Sequence, residues 1–199
     1  MRIIAGQRRG MKLLSPKTVQ TRPITDRVKE SLFNVLQKYG PMKGKYVADL
    51  FCGTGSLGLE ALSRGARWVT FVERSQRIIT DLKKNIAKAG FMNSSEVVKA
   101  DVYRATALVT VKRREYDIVF VDPPYADTEN ILPASPLGKL LTRLSGLLMK
   151  NGIVLVRTRR STVLIERYNG LRVLDRRQWG TMAVTILSAA VELGPGDDE

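Results

Sequence analysis

From Lys45 onward, short apolar runs alternate with amphipathic stretches, and this alternation decides the fold class. Tyr46–Phe51, Trp68–Val72, Glu96–Val98, Tyr116–Val121 and Ile153–Val156 read as strands, buried and bounded by turn residues. Between them, apolar residues recur at helical spacing through Leu59 and Leu62, then at Ile78, Ile79, Leu82 and Ile86, and again at Leu137, Leu140, Leu141, Leu144 and Leu148. A further helix is expected near residues 105–111. Strands that alternate with helices need crossover connections, so the expectation is α/β with a doubly wound, mostly parallel sheet. Two more strands, near 171–174 and 182–187, would bring it to seven.

Ahead of this pattern, residues 2–14 read as a small hairpin, with a turn from Gly6 to Gly10 between Arg2-Ile3-Ile4-Ala5 and Met11-Lys12-Leu13-Leu14. A helix starts at Thr25, an N-cap residue followed by Asp26, and carries Val28, Leu32, Val35, Leu36 and Tyr39 on one stripe. Gly40-Pro41 ends it. The chain therefore divides into a basic extension over 1–24, a main domain over 25–193 and an acidic tail over 194–199, expected to be disordered.

Charge narrows the partners. The 199 residues carry a net charge of +14. The excess gathers ahead of the first sheet strand, from Arg2 to Lys45, and again in Arg157, Arg159, Arg160, Arg167, Arg172, Arg176 and Arg177. Two such clusters argue for one polyanion-binding surface, nucleic acid above all. An anionic membrane fits less well, because no basic amphipathic terminal helix is visible and no apolar run is long enough to span a bilayer. One cysteine, Cys52, excludes an internal disulfide framework, and the charged opening residues do not read as a signal peptide. A cytoplasmic location is expected. The absence of histidine removes Ser-His-Asp and Cys-His catalysis and histidine-ligated zinc.

The first strand runs into Asp49-Leu50-Phe51-Cys52-Gly53-Thr54-Gly55-Ser56-Leu57-Gly58. Gly53 and Gly55 permit a tight turn and close approach of a ligand, while Gly58 permits close packing of helix on strand. Glu73, at the end of the second strand, can accept both hydroxyls of a ribose. A nicotinamide dinucleotide and S-adenosylmethionine both satisfy these features. Two carboxylates favour the second. Asp49 suits a cationic ligand with an amino acid head and would repel a pyrophosphate. Asp101, after the third strand, can accept from an adenine amino group, although a helix N-cap would also explain it. Phe51 belongs to the same cofactor-facing stretch. Cys52 lies in the turn with no histidine to activate it, so a nucleophilic role is not expected.

The fourth strand ends in Asp122-Pro123-Pro124-Tyr125. By itself this is a stiff turn. At the carboxyl edge of a parallel sheet, where such sheets bind ligands, it also offers a carboxylate, the carbonyls beside two prolines and an aromatic ring.

In this order, Asp49…Gly53-x-Gly55, Glu73, Asp101 and Asp122-Pro123-Pro124-Tyr125 resemble the class I methyltransferases that act on exocyclic amino groups of nucleic acid bases. The whole chain except the acidic tail resembles, more narrowly, the bacterial family that methylates guanine N2 in 16S ribosomal RNA. The segments that carry this are Met1-Arg2-Ile3-Ile4-Ala5-Gly6 with Arg9-Gly10, Thr21 to Asn34, Leu59 to Ala66, and Trp179-Gly180-Thr181. Trp179 stands where the family has tyrosine, and Cys52 where a small residue is usual. The resemblance implies a Rossmann-like class I methyltransferase fold that uses S-adenosylmethionine and needs neither metal nor covalent intermediate. Asp122 and a carbonyl near Pro123 would accept the two amine N–H groups, with Pro124 stiffening the segment and Tyr125 stacking on the base. Asp49, Phe51, Gly53, Gly55, Glu73 and Asp101 would hold the cofactor. Thr25 joins them because the family's additional cofactor motif lies there. Arg8, Arg9, Arg22, Arg27, Arg159, Arg160 and Arg177 would hold RNA phosphates, and the partner would be ribosomal RNA in an assembled or partly assembled small subunit, bound by a monomer. The rivals are an amino methyltransferase acting on adenine N6 in DNA or RNA, an RNA-binding module without activity, and a nicotinamide oxidoreductase. The last would call on a hydride-site histidine, and the chain has none.

Overall fold

The structure, a computed structural model, describes residues 1–15, 24–104 and 115–189. Among these residues the strands are β1 (Tyr46–Leu50), β2 (Trp68–Glu73), β3 (Ser95–Lys99), β4 (Tyr116–Val121), β5 (Leu148–Arg159), β6 (Arg167–Tyr168), β7 (Leu171–Trp179) and β8 (Met182–Ala189). The helices are α1 (Asp26–Leu36), α2 (Ser56–Ser63), α3 (Gln76–Ala89) and α4 (Pro136–Leu144). The helix expected near 105–111 and the acidic tail lie outside the described residues, as does Arg22.

One sheet holds all eight strands in the order β3-β2-β1-β4-β5-β8-β7-β6. The first five are parallel and the last three run antiparallel to their neighbours. This is the doubly wound, mostly parallel sheet that the alternation predicts, with eight strands rather than seven. The additional strand, β6, is two residues long and turns through Asn169, whose φ is 50°. So short a strand has no periodicity to read. Two boundaries also differ from expectation. Leu148 does not end a helix but starts β5, and β7 extends to Trp179 rather than stopping at Leu174.

Because side chains alternate across a strand, each strand feeds two cores. On one face, Val47, Val69, Phe71, Ile118 and Phe120 pack against Leu32 and Phe33 of α1, Leu59 and Leu62 of α2, and Leu82 and Ile86 of α3. On the other, Ala48, Leu50, Val119, Val121 and Val154 pack against Leu137, Leu140, Leu141 and Leu144 of α4.

The N-terminal hairpin forms, joined by an antiparallel bridge between Arg2 and Lys12 and by hydrogen bonds from Ile3 N to Met11 O and Gly10 N to Ile3 O. It is pinned to the sheet's helices: Ile3 and Leu13 enter the first core, and the amides of Ile4 and Ala5 donate to the buried carboxylate of Glu60 on α2. Glu60 also accepts from Arg64 Nε at 2.7 Å and lies 3.6 Å from Lys29 Nζ of α1. Lys29 is fully buried and donates to Arg2 O and Ser56 Oγ.

Strand order reverses at β1, which has β2 on one side and β4 on the other. Such a switch point opens a crevice at the carboxyl ends of the strands. Register decides what meets there. Leu50 pairs with Val72 and with Val121, and Val121 pairs with Val156. The next residues along, Phe51, Glu73, Asp122 and Arg157, therefore stand in a row along the sheet's edge.

Candidate active site

After β1 the chain turns through Phe51, Gly53 and Gly55, all with positive φ (61°, 55° and 89°), into the amino end of α2. A side chain on Gly53 would meet nothing within 4 Å, so its backbone faces open space where a ligand can lie against it. Gly58 has the opposite reason. A Cβ there would collide with the Phe71 ring, so this glycine sets how closely α2 lies on β2, as its place in the turn predicts.

Three carboxyls surround the turn. Asp49 is 1% exposed, and its Oδ2 accepts from Gly58 N at 2.8 Å. Burial pushes its pKa up to about 8, reinforced by the charges of Asp122 and Glu73 and opposed by the Gly58 N–H. Glu73 fastens the turn, accepting from Gly53 N at 3.2 Å and from Ser75 N at 2.8 Å. Asp101 Oδ1 accepts from Tyr103 N at 3.2 Å, closing a local turn rather than capping a described helix. Burial pushes the Cys52 thiol well up, which leaves it no nucleophile.

Asp122 follows β4, and its Oδ1 lies 2.7 Å from Arg157 Nε on β5. Burial raises the Asp122 pKa and the Arg157 guanidinium pulls it down. Sequence reasoning counted Arg157 among surface arginines, yet it is 9% exposed and is the ionic partner of Asp122. Only strand register reveals this. Tyr125 begins a short 3-10 turn, Tyr125–Thr128, and its ring lies beneath two guanidinium groups, 5.3 Å from Arg159 and 5.7 Å from Arg157.

The crevice has two lobes. The first, of about 440 Å³, is lined by Asp49, Gly53, Asp122, Tyr125, Arg157 and Arg159, with Met1 and Ile24 closing it from the leader. The second, of about 260 Å³, is lined by Glu73, Ser75, Ile78, Asp101, Val102 and Asp127. Phe51, Gly53, Asp122 and Pro124 line both. Phe51 packs on Tyr103 with centroids 5.1 Å apart, and the Tyr103 hydroxyl lies 3.2 Å from Asp127 Oδ2. Tyr103 belongs to a loop and Asp127 to the short 3-10 turn, where no periodic pattern singles them out.

Not every predicted residue gathers here. Thr25 caps α1, accepting from Val28 N, and lines a separate cavity beyond Tyr125; its neighbour Ile24 is the one in the first lobe. Arg27 lines that same separate cavity. Arg160 lies in the turn after β5, its N donating to Thr181 O, and Arg177 is on β7, paired with Asp175 at 2.8 Å; neither lines the crevice. Arg8 and Arg9 lie elsewhere. Their turn docks on the carboxyl ends of α2 and α3, through Gln7 N to Ser63 O and Arg8 Nε to Ala89 O. The 14 residues of α3 are about 21 Å long, so this is the end of the helix layer remote from the crevice. The guanidinium of Arg8 there neutralises the carbonyl end of α3.

A family model, described as conserved hypothetical protein 95, matches residues 1–188. The chain belongs to this family. Among its relatives, the Bacillus subtilis protein named "Putative rRNA methyltransferase YlbH" is 32% identical over 188 residues, which cover 94% of this chain and 97% of that one. Ribosomal RNA small subunit methyltransferase D of Haemophilus influenzae is 43% identical over 129 residues, 63% of this chain and 64% of that one. The solved structure titled "Putative methyltransferase yhhF from Escherichia coli" superimposes with a TM-score of 0.75 at 31% identity, covering 95% of this chain and 97% of that one.

Proposed function

We propose that this protein transfers the methyl group of S-adenosylmethionine to the exocyclic N2 amine of a guanine in 16S ribosomal RNA. The observation that carries the reading is the register of β1, β4 and β5, which sets the Asp122-Pro123-Pro124-Tyr125 segment against the glycine turn and Arg157. The names of the relatives supply the ribosomal substrate.

The residues fit the cofactor. Gly53 presents open backbone, and Glu73 faces the second lobe as the ribose acceptor. Phe51, Ile78 and Val102 offer an apolar wall to adenine, with Asp101 at its edge. Asp49 lies in the first lobe, where the cationic amino acid head would be. Bound there, S-adenosylmethionine supplies an electrophilic methyl group on a positive sulfur.

The remaining work belongs to the chain. A guanine amine is a poor nucleophile because its lone pair is conjugated with the ring. Asp122 and the carbonyl near Pro123 accept its N–H groups and turn the lone pair towards the methyl carbon. As the N–C bond forms and the C–S bond breaks, the amine loses one proton, which leaves by way of Asp122 to water. Burial raises the Asp122 pKa, and Arg157, 2.7 Å away, opposes that rise and so favours the acceptor form. Tyr125, flanked by Arg159, holds the base flat. The gain is orientation and electrostatics. The base must leave its stack to arrive. We place the enzyme in the cytoplasm, as a monomer acting on an assembled or partly assembled small subunit.

Labelled methyl transfer to unmodified small subunits and to free ribosomal RNA tests this, with the product nucleoside identified. The expected product is N2-methylguanosine, lost by orders of magnitude in Asp122→Ala while S-adenosylmethionine still binds. N6-methyladenosine, or undiminished turnover in Asp122→Ala, would overturn it.

A further inference from the structure

On the side of Tyr125 away from the glycine turn lies the separate cavity of about 430 Å³. It is a size suited to ligands, and the cofactor has no use for it, since no residue of the glycine turn lines it. Its back wall is Trp179, at the last position of β7, where the chain reverses through Gly180 into β8. The indole is held in one plane. Its Nε1 donates to Ser31 Oγ on α1 at 3.0 Å, so helix and hairpin together fix the ring. Tyr125 also lines the cavity; Val28 and Met182 add apolar surface, and Arg27, exposed, brings a cationic side chain.

We propose that this cavity binds a second nucleobase of the RNA, a neighbour of the methylated guanine, stacked on Trp179. The proposal rests on the functional reading above. An aromatic ring clamped by a hydrogen bond, with the Arg27 guanidinium at the margin, is what a single-stranded nucleic acid site needs: a face for the base and a cation for its phosphate. The occupant is not the methylated base itself. Asp122 does not line this cavity, so an amine lodged here cannot reach it. Tyr125 lines both this cavity and the first lobe and so stands between the two bases. Two unstacked bases held at once make the enzyme select an unpaired loop rather than a helix.

The chain has two tryptophans. The other, Trp68, starts β2 at a distant part of the sheet and donates to Thr70 Oγ1. A Trp68→Phe variant therefore makes Trp179 the sole tryptophan reporter. Its fluorescence is expected to be quenched by a single-stranded RNA oligonucleotide but not by inorganic polyphosphate, which carries charge without bases. In the activity assay, Trp179→Leu is expected to raise the KM for ribosomal RNA about tenfold, the order of one lost base–aromatic stack. S-adenosylmethionine affinity stays unchanged, and Ser31→Ala gives a smaller rise in KM. Equal quenching by polyphosphate, no quenching by RNA, or an unchanged KM in Trp179→Leu overturns the subsite. If the parent enzyme methylates no ribosomal RNA but base-dependent quenching is seen, the functional reading fails and the base site stands.

Discussion

At the scale of single residues, the crevice depends on carboxyls whose surroundings differ although their chemistry does not. Asp49 is sealed under the turn, and its pKa rises from 3.8 to about 8. A folded pKa above the unfolded one means that the folded protein holds the proton more tightly. The associated stability is fully present below about pH 4 and is lost as the pH rises through about 8. At neutral pH the ligand-free protein therefore keeps Asp49 largely protonated. A cation bound beside it favours the ionised form, so binding of S-adenosylmethionine near pH 7 is expected to release a proton. Calorimetry in buffers of different ionisation enthalpy measures this directly. Asp49→Asn is expected to abolish the buffer dependence, since an amide oxygen can still accept from Gly58 but has no proton to release. Identical enthalpies across buffers for the parent protein would refute the assignment.

Among elements, the decisive joint is between the leader, α1 and α2. Glu60 is wholly buried and collects the Ile4 and Ala5 amides, Arg64 and Lys29. Burial lowers the Lys29 pKa while the charge of Glu60 raises it, so each ion depends on the other. Ser56, which accepts from Lys29, lines the first lobe just past the glycine turn. Glu60→Ala strips partners from two amides and leaves a buried cation, and is expected to cost about 3–5 kcal/mol of stability. Lys29→Met is expected to cost less, because Arg64 still neutralises Glu60. Urea denaturation of the two variants checks the order; equal losses would mean that Lys29, not Glu60, organises the joint.

For the whole molecule, a net charge of +14 is spread unevenly with respect to the crevice. Arg159 and Arg27 line cavities on either side of Tyr125, while Arg8 is engaged at the remote end of α3. RNA affinity measured across salt concentrations is expected to separate them. On the proposed function, Arg27→Gln and Arg159→Gln are each expected to remove one phosphate contact and to flatten the salt dependence by roughly 0.7–0.9 log unit per decade. Arg8→Gln is expected to leave that slope unchanged. A slope altered by Arg8 and untouched by Arg159 would mean that RNA crosses the opposite end of the molecule.

The alternation of apolar runs after Lys45 determined an α/β sheet with a crevice at its carboxyl edge, because strand and helix periodicities are local properties of the chain. The same locality made Asp49, Gly53, Glu73, Asp101 and Asp122 readable, since each ends a strand or forms the turn after one. What lay beyond the sequence were relations between distant segments. The Asp122–Arg157 pair follows from β4 lying beside β5 in one register, the Glu60 joint from the leader folding back on α2, and the Trp179–Ser31 contact from residues 148 positions apart. Arg8 and Arg159 look alike in the sequence, as arginines in basic stretches. Packing alone decided that one caps a helix and the other faces the crevice, because where a long flexible side chain ends depends on what the fold brings within its reach.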